Sequence, residues 1–480
     1  MLNRVFRTAA LEPRPLPGPA APPLIGYRGN LLSLMHNPIR YLRRVWREYG
    51  NFAAISANDP SFVCAFGPEY NRVLFSKDAL FDQYFTVLPT PENSPLSRFM
   101  RNALVANGEE HRRQRRAMAP PFQRRRNDDY RDEMVAVAEV ALEPWRVGQT
   151  LELTRALRRL TLGTILQVVF GIDVSRDPAF FAQAETLLGD FLAQLGSKLA
   201  ILFPVDLPIF PYRRLLEHAE RVESFVHELL RTSAVRRDVA TIPGQLDALN
   251  RELGSTDLDA DLIGQLVTLL LAGQETTNNA LAWVLLLLAE HPRVLHDLRD
   301  ELHGVVRGGA PTIAELERLP LLDGVIKESL RLLPPAANGA RRTKAEVVLG
   351  EHALPAGSVV IFSEYVSHHL PEVFEEPEHF RPERFLSYTP TAFEFFPFGA
   401  GARSCIGNHF AMLEMKIAVA LIVQRFSPEV IDGTRVDFEL KPALAPRNGI
   451  PVVLRSPSER PRAARLYGEI HDAVTLSHIA

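Results

Sequence analysis

The chain has 480 residues, 46% of them hydrophobic, which is enough to bury a sizeable core. A formal net charge of −3 supplies no global attraction for nucleic acid or an anionic bilayer. Two cysteines, Cys64 and Cys405, exclude a disulfide scaffold and fit a reducing, cytoplasmic setting in which one thiol serves as ligand or nucleophile.

Residues 1–23 are basic and then proline-rich, and read as a flexible lead-in more readily than as a short transit peptide. No N-terminal stretch is apolar enough for a transmembrane anchor. An amphipathic helix is expected over Pro38–Tyr49, followed by a hairpin in NFAAISANDPSFVCAFG. From Pro68 the pattern is mainly helical. A polar segment at 82–107 breaks it, long enough to suggest a functional or mobile loop. A second break, rich in proline and aromatics, covers 203–212. The longest apolar region, 262–289, is interrupted by QETTNN, which suits a buried helix with a functional kink better than a bilayer span. Strands are expected at VVLG, SVVIF and PVVLRS. With no repeat or linker in view, 24–456 reads as a single domain and 457–480 as a polar tail.

The segment FFPFGAGARSCIGNHF carries the sharpest chemical signal. Gly399, Gly401 and Gly407 surround Cys405 ahead of a helical pattern. A thiolate near a helix N-terminus is stabilised by the dipole and by free N–H groups, and glycines let a flat ligand approach the backbone. An activated nucleophile needs the same surroundings, so both uses stay open on these residues alone. Zinc-ligand spacing is missing around the cysteine. Elsewhere, Glu328 and Arg331 of KESLRLLPP share a helix face as an ordinary ion pair, and adjacent Thr276 and Thr277 invite back-bonding of their hydroxyls. GEEHRRQRRAMAPPF reads as a solvated basic face.

FGAGARSCIG matches the heme-binding loop of the cytochrome P-450 family at every fixed position, and three further motifs follow that family's order. The resemblance covers about 17–455. It implies a mainly α fold with a small β region, heme b (iron protoporphyrin IX) lying between a long central helix and the cysteine loop. Cys405 would be the axial thiolate, with Phe398, Gly399 and Gly407 shaping its loop. His111, Arg115, Arg341 and Arg403 would meet heme propionates. KESLRLLPP and FRPERF resemble the family's buried triad, here Glu328, Arg331 and Arg384. AGQETT is similar to its oxygen-activating motif, making Glu275 and Thr276 an acid–alcohol pair that relays protons; the long helix is expected to open locally there.

The activity implied is a monooxygenase placing one oxygen atom of O2 into an apolar small molecule, by hydroxylation or epoxidation. Phe85, Leu88, Thr268, Leu271, Ala272, Ala336, Ala337, Ala443 and Leu444 correspond to substrate-contacting regions, with Asn338 as a polar handle. Electrons would come from an acidic donor such as ferredoxin or flavodoxin with its reductase. That donor would dock on a rim of Arg112, Arg113, Arg116, Arg124, Arg125 and Arg126. No nucleic acid is expected as a partner. A heme-thiolate enzyme using peroxide, or isomerising its substrate without external electrons, is the rival reading.

Overall fold

Asn37 opens the first expected helix: its side chain accepts the Arg40 N–H at 3.1 Å, and Pro38 occupies the first turn, where a missing N–H costs nothing. The helix runs Pro38–Tyr49, as its pattern predicts. The computed structural model describes residues 15–85, 90–173, 177–232, 241–306, 308–459 and 461–476. The chain divides into two compact units. The first is Met1–Val87, Ala336–Pro377 and Thr389–Cys405; the second is Leu88–Pro335, Glu378–Tyr388 and Ile406–Ala480. Each is assembled from three separated segments, so no linker marks the division in the sequence.

The first unit holds a mixed five-stranded sheet, in the order Phe52–Ala54, Phe62–Ala65, Val359–Phe362, Gly339–Thr343 and Phe81–Gln83. The expected hairpin is its edge, with Phe52 opposite Ala65. Val63, Leu74, Phe75, Val360, Phe362 and Phe396 are among the residues of its core. The described part of the lead-in is fastened here, not free. Pro17 and Pro19 carbonyls accept the Ala54 and Ala57 N–H groups at 2.7 and 2.9 Å, and Leu16 exchanges hydrogen bonds with Asn58. Proline cannot donate to a sheet, yet it can line an edge as an acceptor.

The second unit is helical around Leu258–Glu290, whose 33 residues span about 50 Å. Asp257 caps its N-terminus through the Ala260 N–H at 3.1 Å. Residues 262–267 and 277–290 are buried all round, which is why the sequence looks apolar on every face. Helices Leu153–Phe170, Pro320–Leu332 and Asn408–Arg425 pack against it. The region 82–107, expected as one loop, carries the end of strand Phe81–Gln83 and the short helix Pro95–Phe99.

The tail is likewise not an appendage. Ile470 and Ala473 are fully buried, and the Ala464 and Arg465 N–H groups donate to the Glu290 and Asp432 carboxylates. Its apolar residues come singly or in pairs among polar ones, which hid them from a composition argument. Among the described residues no helix is long and apolar enough to cross a membrane.

Candidate active site

In the first unit, the cysteine loop is built on backbone hydrogen bonds. Phe396 O accepts the Gly399 N–H at 2.8 Å, Gly401 O accepts that of Ser404 at 3.1 Å, and Phe398 O accepts that of Cys405 at 2.7 Å. Gly399 and Gly401 lie at φ 65° and 66°, and a methyl group on Gly401 would collide with the Phe75 carbonyl. Both glycines are therefore required by the turn. Cys405 is exposed, whereas Cys64 is fully buried and its thiol is pushed up to about 12 by that burial. Only one of the two thiols is poised for chemistry.

Arg341 is buried between the rings of Phe75 and Phe362, its charge 5.5 and 5.2 Å from their centroids, and it donates to Gln83. Burial first, and then the neighbouring Arg403, lower its pKa to about 10. Glu364 and Asp78 act on its charge in the opposite sense. The donor set fits an iron porphyrin: a single exposed thiol for the metal, glycines for a flat approach, and paired cations for carboxylate side chains. Among the described residues, no group of three or more His, Cys, Asp or Glu side chains could hold a metal in another way.

In the second unit, the middle of the long helix is open along one stripe. Thr268, Leu271, Glu275 and Thr276 are partly accessible and Ala272 is exposed, while Gln274 and Thr277 to either side are buried. Burial raises the Glu275 carboxyl above its usual range, opposed by Arg158 and by a 3.4 Å hydrogen bond from Asn279. The expected local opening is not present. The helix is continuous from Leu258 to Glu290, and the Thr276 hydroxyl donates to the Ala272 carbonyl at 2.7 Å. The polar run QETTNN is accommodated without breaking the ladder: Thr276 and Asn279 bond back by one turn, whereas Gln274 Nε2 and the Asn278 amide are buried without a hydrogen-bond partner.

Glu328 and Arg331 form no surface pair, since both side chains are completely buried. Arg331 Nε and Nη2 donate to the two Glu328 oxygens at 2.8 and 2.9 Å. Arg384 Nε and the Arg381 N–H each add a 3.0 Å bond to Oε1. Glu301 caps the same helix through the Leu321 and Leu322 N–H groups at 2.7 and 2.9 Å. On helix Gly108–Met118, His111 is buried and Arg115, one turn on, is half-buried.

The basic rim loses a member. Arg113 donates to Glu110 at 2.7 Å and to the fully buried Asp261 at 2.6 Å, so its charge is spent inside the unit. Arg112, Arg116, Arg124, Arg125 and Arg126 stay exposed. Of the expected substrate residues, Phe85 and Ala336 are exposed, and half-buried Asn338 has an Oδ1 without a hydrogen-bond partner. Ala337, Ala443 and Leu444 are buried, with Leu444 O accepting the Trp283 Nε1–H at 3.1 Å. Leu88 lies outside the described residues.

The family model for cytochrome P450 matches residues 17–452. The chain belongs to the cytochrome P450 family. It is therefore a heme-thiolate monooxygenase by family, with heme b as cofactor. Similar proteins include the cyclooctat-9-en-7-ol 5-monooxygenase of Streptomyces melanosporofaciens, 30% identical over 89% of this chain and 93% of that one. The cytokinin hydroxylase of Arabidopsis thaliana is 32% identical, over 74% of this chain and 72% of its own. Among solved structures, the retinoic acid-bound cyanobacterial CYP120A1 superposes with a TM-score of 0.78 at 25% identity, covering 93% of this chain and 100% of its own.

Several residues of this cytochrome P450 were invisible to motif reading. Gln83 holds Arg341, Asp261 holds Arg113, and His368 accepts the Phe396 N–H at 3.0 Å. Each lies far along the chain from its partner, with no spacing to announce it. Fully buried Glu414, nine residues after Cys405, has no hydrogen-bond donor for either carboxyl oxygen. Thr164 stands beside it but gives its hydroxyl to the Leu160 carbonyl at 3.0 Å.

Proposed function

We propose that this cytochrome P450 inserts one oxygen atom of O2 into an apolar small molecule, with Cys405 as the axial thiolate and electrons supplied by a separate acidic carrier. The observation that carries the reading is the Cys405 loop: an exposed thiol on a glycine turn, in the same unit as the cations Arg341 and Arg403. Bound heme supplies the redox chemistry of oxygen activation, and thiolate donation favours O–O cleavage. Arg341 and Arg403 would neutralise and orient its propionates in this reading.

Glu275 and Thr276 handle protons. A carboxyl whose pKa is raised by burial keeps and releases a proton closer to neutral pH than an exposed one. The Thr276 hydroxyl serves once it turns from the Ala272 carbonyl toward a water or the reacting oxygen. Leu271, Ala272 and Thr268 offer an apolar wall with one hydroxyl. Cyclooctat-9-en-7-ol and retinoic acid, named for two relatives, are hydrocarbon skeletons bearing a single polar group, and a substrate of that kind suits such a wall. The exposed arginines at 112, 116 and 124–126 form the docking face for the acidic electron donor. A cytoplasmic location, where cysteines stay reduced, belongs to the same reading.

The test is the carbon monoxide difference spectrum of the reduced protein. A strongly red-shifted Soret band is expected, and Cys405→Ala should abolish it. An unshifted band in the wild type would end the thiolate assignment. Turnover with NADPH, ferredoxin and reductase, compared with turnover on peroxide, separates the monooxygenase from its rival.

A further inference from the structure

The Cys405 loop is gripped by an imidazole that no motif announces. His368 follows the short helix Glu364–Ser367, and its own N–H donates to Glu364 O at 2.8 Å. The ring is completely buried, lying 5.3 Å from the Phe395 ring and 5.1 Å, nearly edge-on, from that of Phe396. Its Nε2 accepts the Phe396 N–H at 3.0 Å. A ring nitrogen that accepts carries no proton, so the neutral imidazole must hold its proton on Nδ1.

From Phe396 the contact continues to the thiol. The Phe396 carbonyl accepts the Gly399 N–H at 2.8 Å, and the Phe398 carbonyl accepts the Cys405 N–H at 2.7 Å. The Phe396 ring packs 5.3 Å from Phe75, whose carbonyl is the atom that forbids a side chain at Gly401. The imidazole thus anchors the strand of chain from which both the glycine turn and Cys405 hang. Phe396 lies in the core of the first unit, where a buried amide needs an acceptor, and the His368 Nε2 lone pair supplies it.

We propose that His368 is a positioning residue for the thiolate: its Nε2 lone pair fixes the Phe396 amide and through it the place where the Cys405 sulfur stands. The inference rests on the heme-thiolate reading and deepens it. Small shifts of an anchoring group change how a ligand meets its metal, which is why such outer contacts tune a centre without touching it. A histidine that merely filled space would contribute to melting temperature alone.

The experiment compares wild type, His368→Gln, His368→Asn and His368→Leu, each as the heme-loaded full chain. It reads the carbon monoxide difference spectrum together with the thermal midpoint. Glutamine extends an amide oxygen far enough to accept from Phe396, and should keep the red-shifted band in full. Asparagine, too short to reach, and leucine, with no acceptor, should convert the larger part of that band to the unshifted form. If leucine blocks heme loading, the two amides decide alone. Equal, fully red-shifted bands from glutamine and asparagine would overturn the proposal, as would a complete band in His368→Leu. An unshifted band in the wild type would instead fail the heme-thiolate reading itself, so the two failures are distinguishable.

Discussion

Thr276 and Thr277 are neighbours in sequence with opposite surroundings. Thr276 lies on the open stripe beside Ala272, while Thr277 is buried with the flank of the helix. Their pattern of residues is symmetric, and only the packing of the long helix chooses between them. If Thr276 delivers protons, Thr276→Ala should let oxygen be consumed while product per oxygen falls by about 10²-fold, the scale of a lost acid–base group. Thr277→Ala should leave that ratio unchanged and lower stability only. Measuring product against oxygen uptake decides it, and equal ratios in both variants would remove Thr276 from the relay.

At the scale of elements, Glu328 joins helix Pro320–Leu332 to the 379–387 segment. Its carboxylate receives two bonds from Arg331, one from Arg384 and one from the Arg381 backbone. With four hydrogen bonds on the carboxylate, three of them on Oε1, the charges are tolerable in the interior; removing one leaves the others uncompensated. Glu328→Gln should therefore cost roughly 3–5 kcal/mol of stability. Chemical unfolding measures this, and a loss below about 1 kcal/mol, the scale of an exposed pair, would contradict the burial of the cluster. The same scale explains the unbroken central helix. The hydroxyls of Thr268 and Thr276 bond back to the Gly264 and Ala272 carbonyls within one turn, and the helix runs on unbroken, so the interruption in hydropathy is not an interruption in structure.

Across the described residues, burial pushes three acids furthest from their ordinary range. Glu290 is pushed up to about 7, and Glu364 and Glu414 to about 8, from an ordinary 4.5. Each keeps a proton in the folded chain that the unfolded chain releases above about pH 4.5. Their contribution to stability therefore falls as pH rises from there toward the folded values, by up to about 1.4 kcal/mol per pH unit for each proton retained. Glu414→Gln, which cannot ionise, should flatten this decline. Urea unfolding at pH 6 and pH 8.5 tests it: a variant as pH-sensitive as the wild type would show that Glu414 titrates normally. The exposed arginines at 112, 116 and 124–126 act at this scale too, through a field felt by an approaching carrier. Replacing Arg124, Arg125 and Arg126 by glutamate should slow reduction and weaken its salt dependence; unchanged stopped-flow rates would exclude docking there.

Much of this protein is written locally. Cys405 in its glycine loop, the Pro38–Tyr49 helix, the first hairpin and the membership of a heme-thiolate family all rest on residues close together in the chain, because turns, caps and helix faces are short-range physics. Tertiary structure alone decided the rest. It removed Arg113 from the basic rim by pairing it with Asp261, and buried Ala337, Ala443 and Leu444. It also tied down the proline lead-in and the tail, and placed His368 against Phe396. Burial and long-range hydrogen bonds depend on which distant segments meet, and a residue's type and its near neighbours carry no record of that meeting.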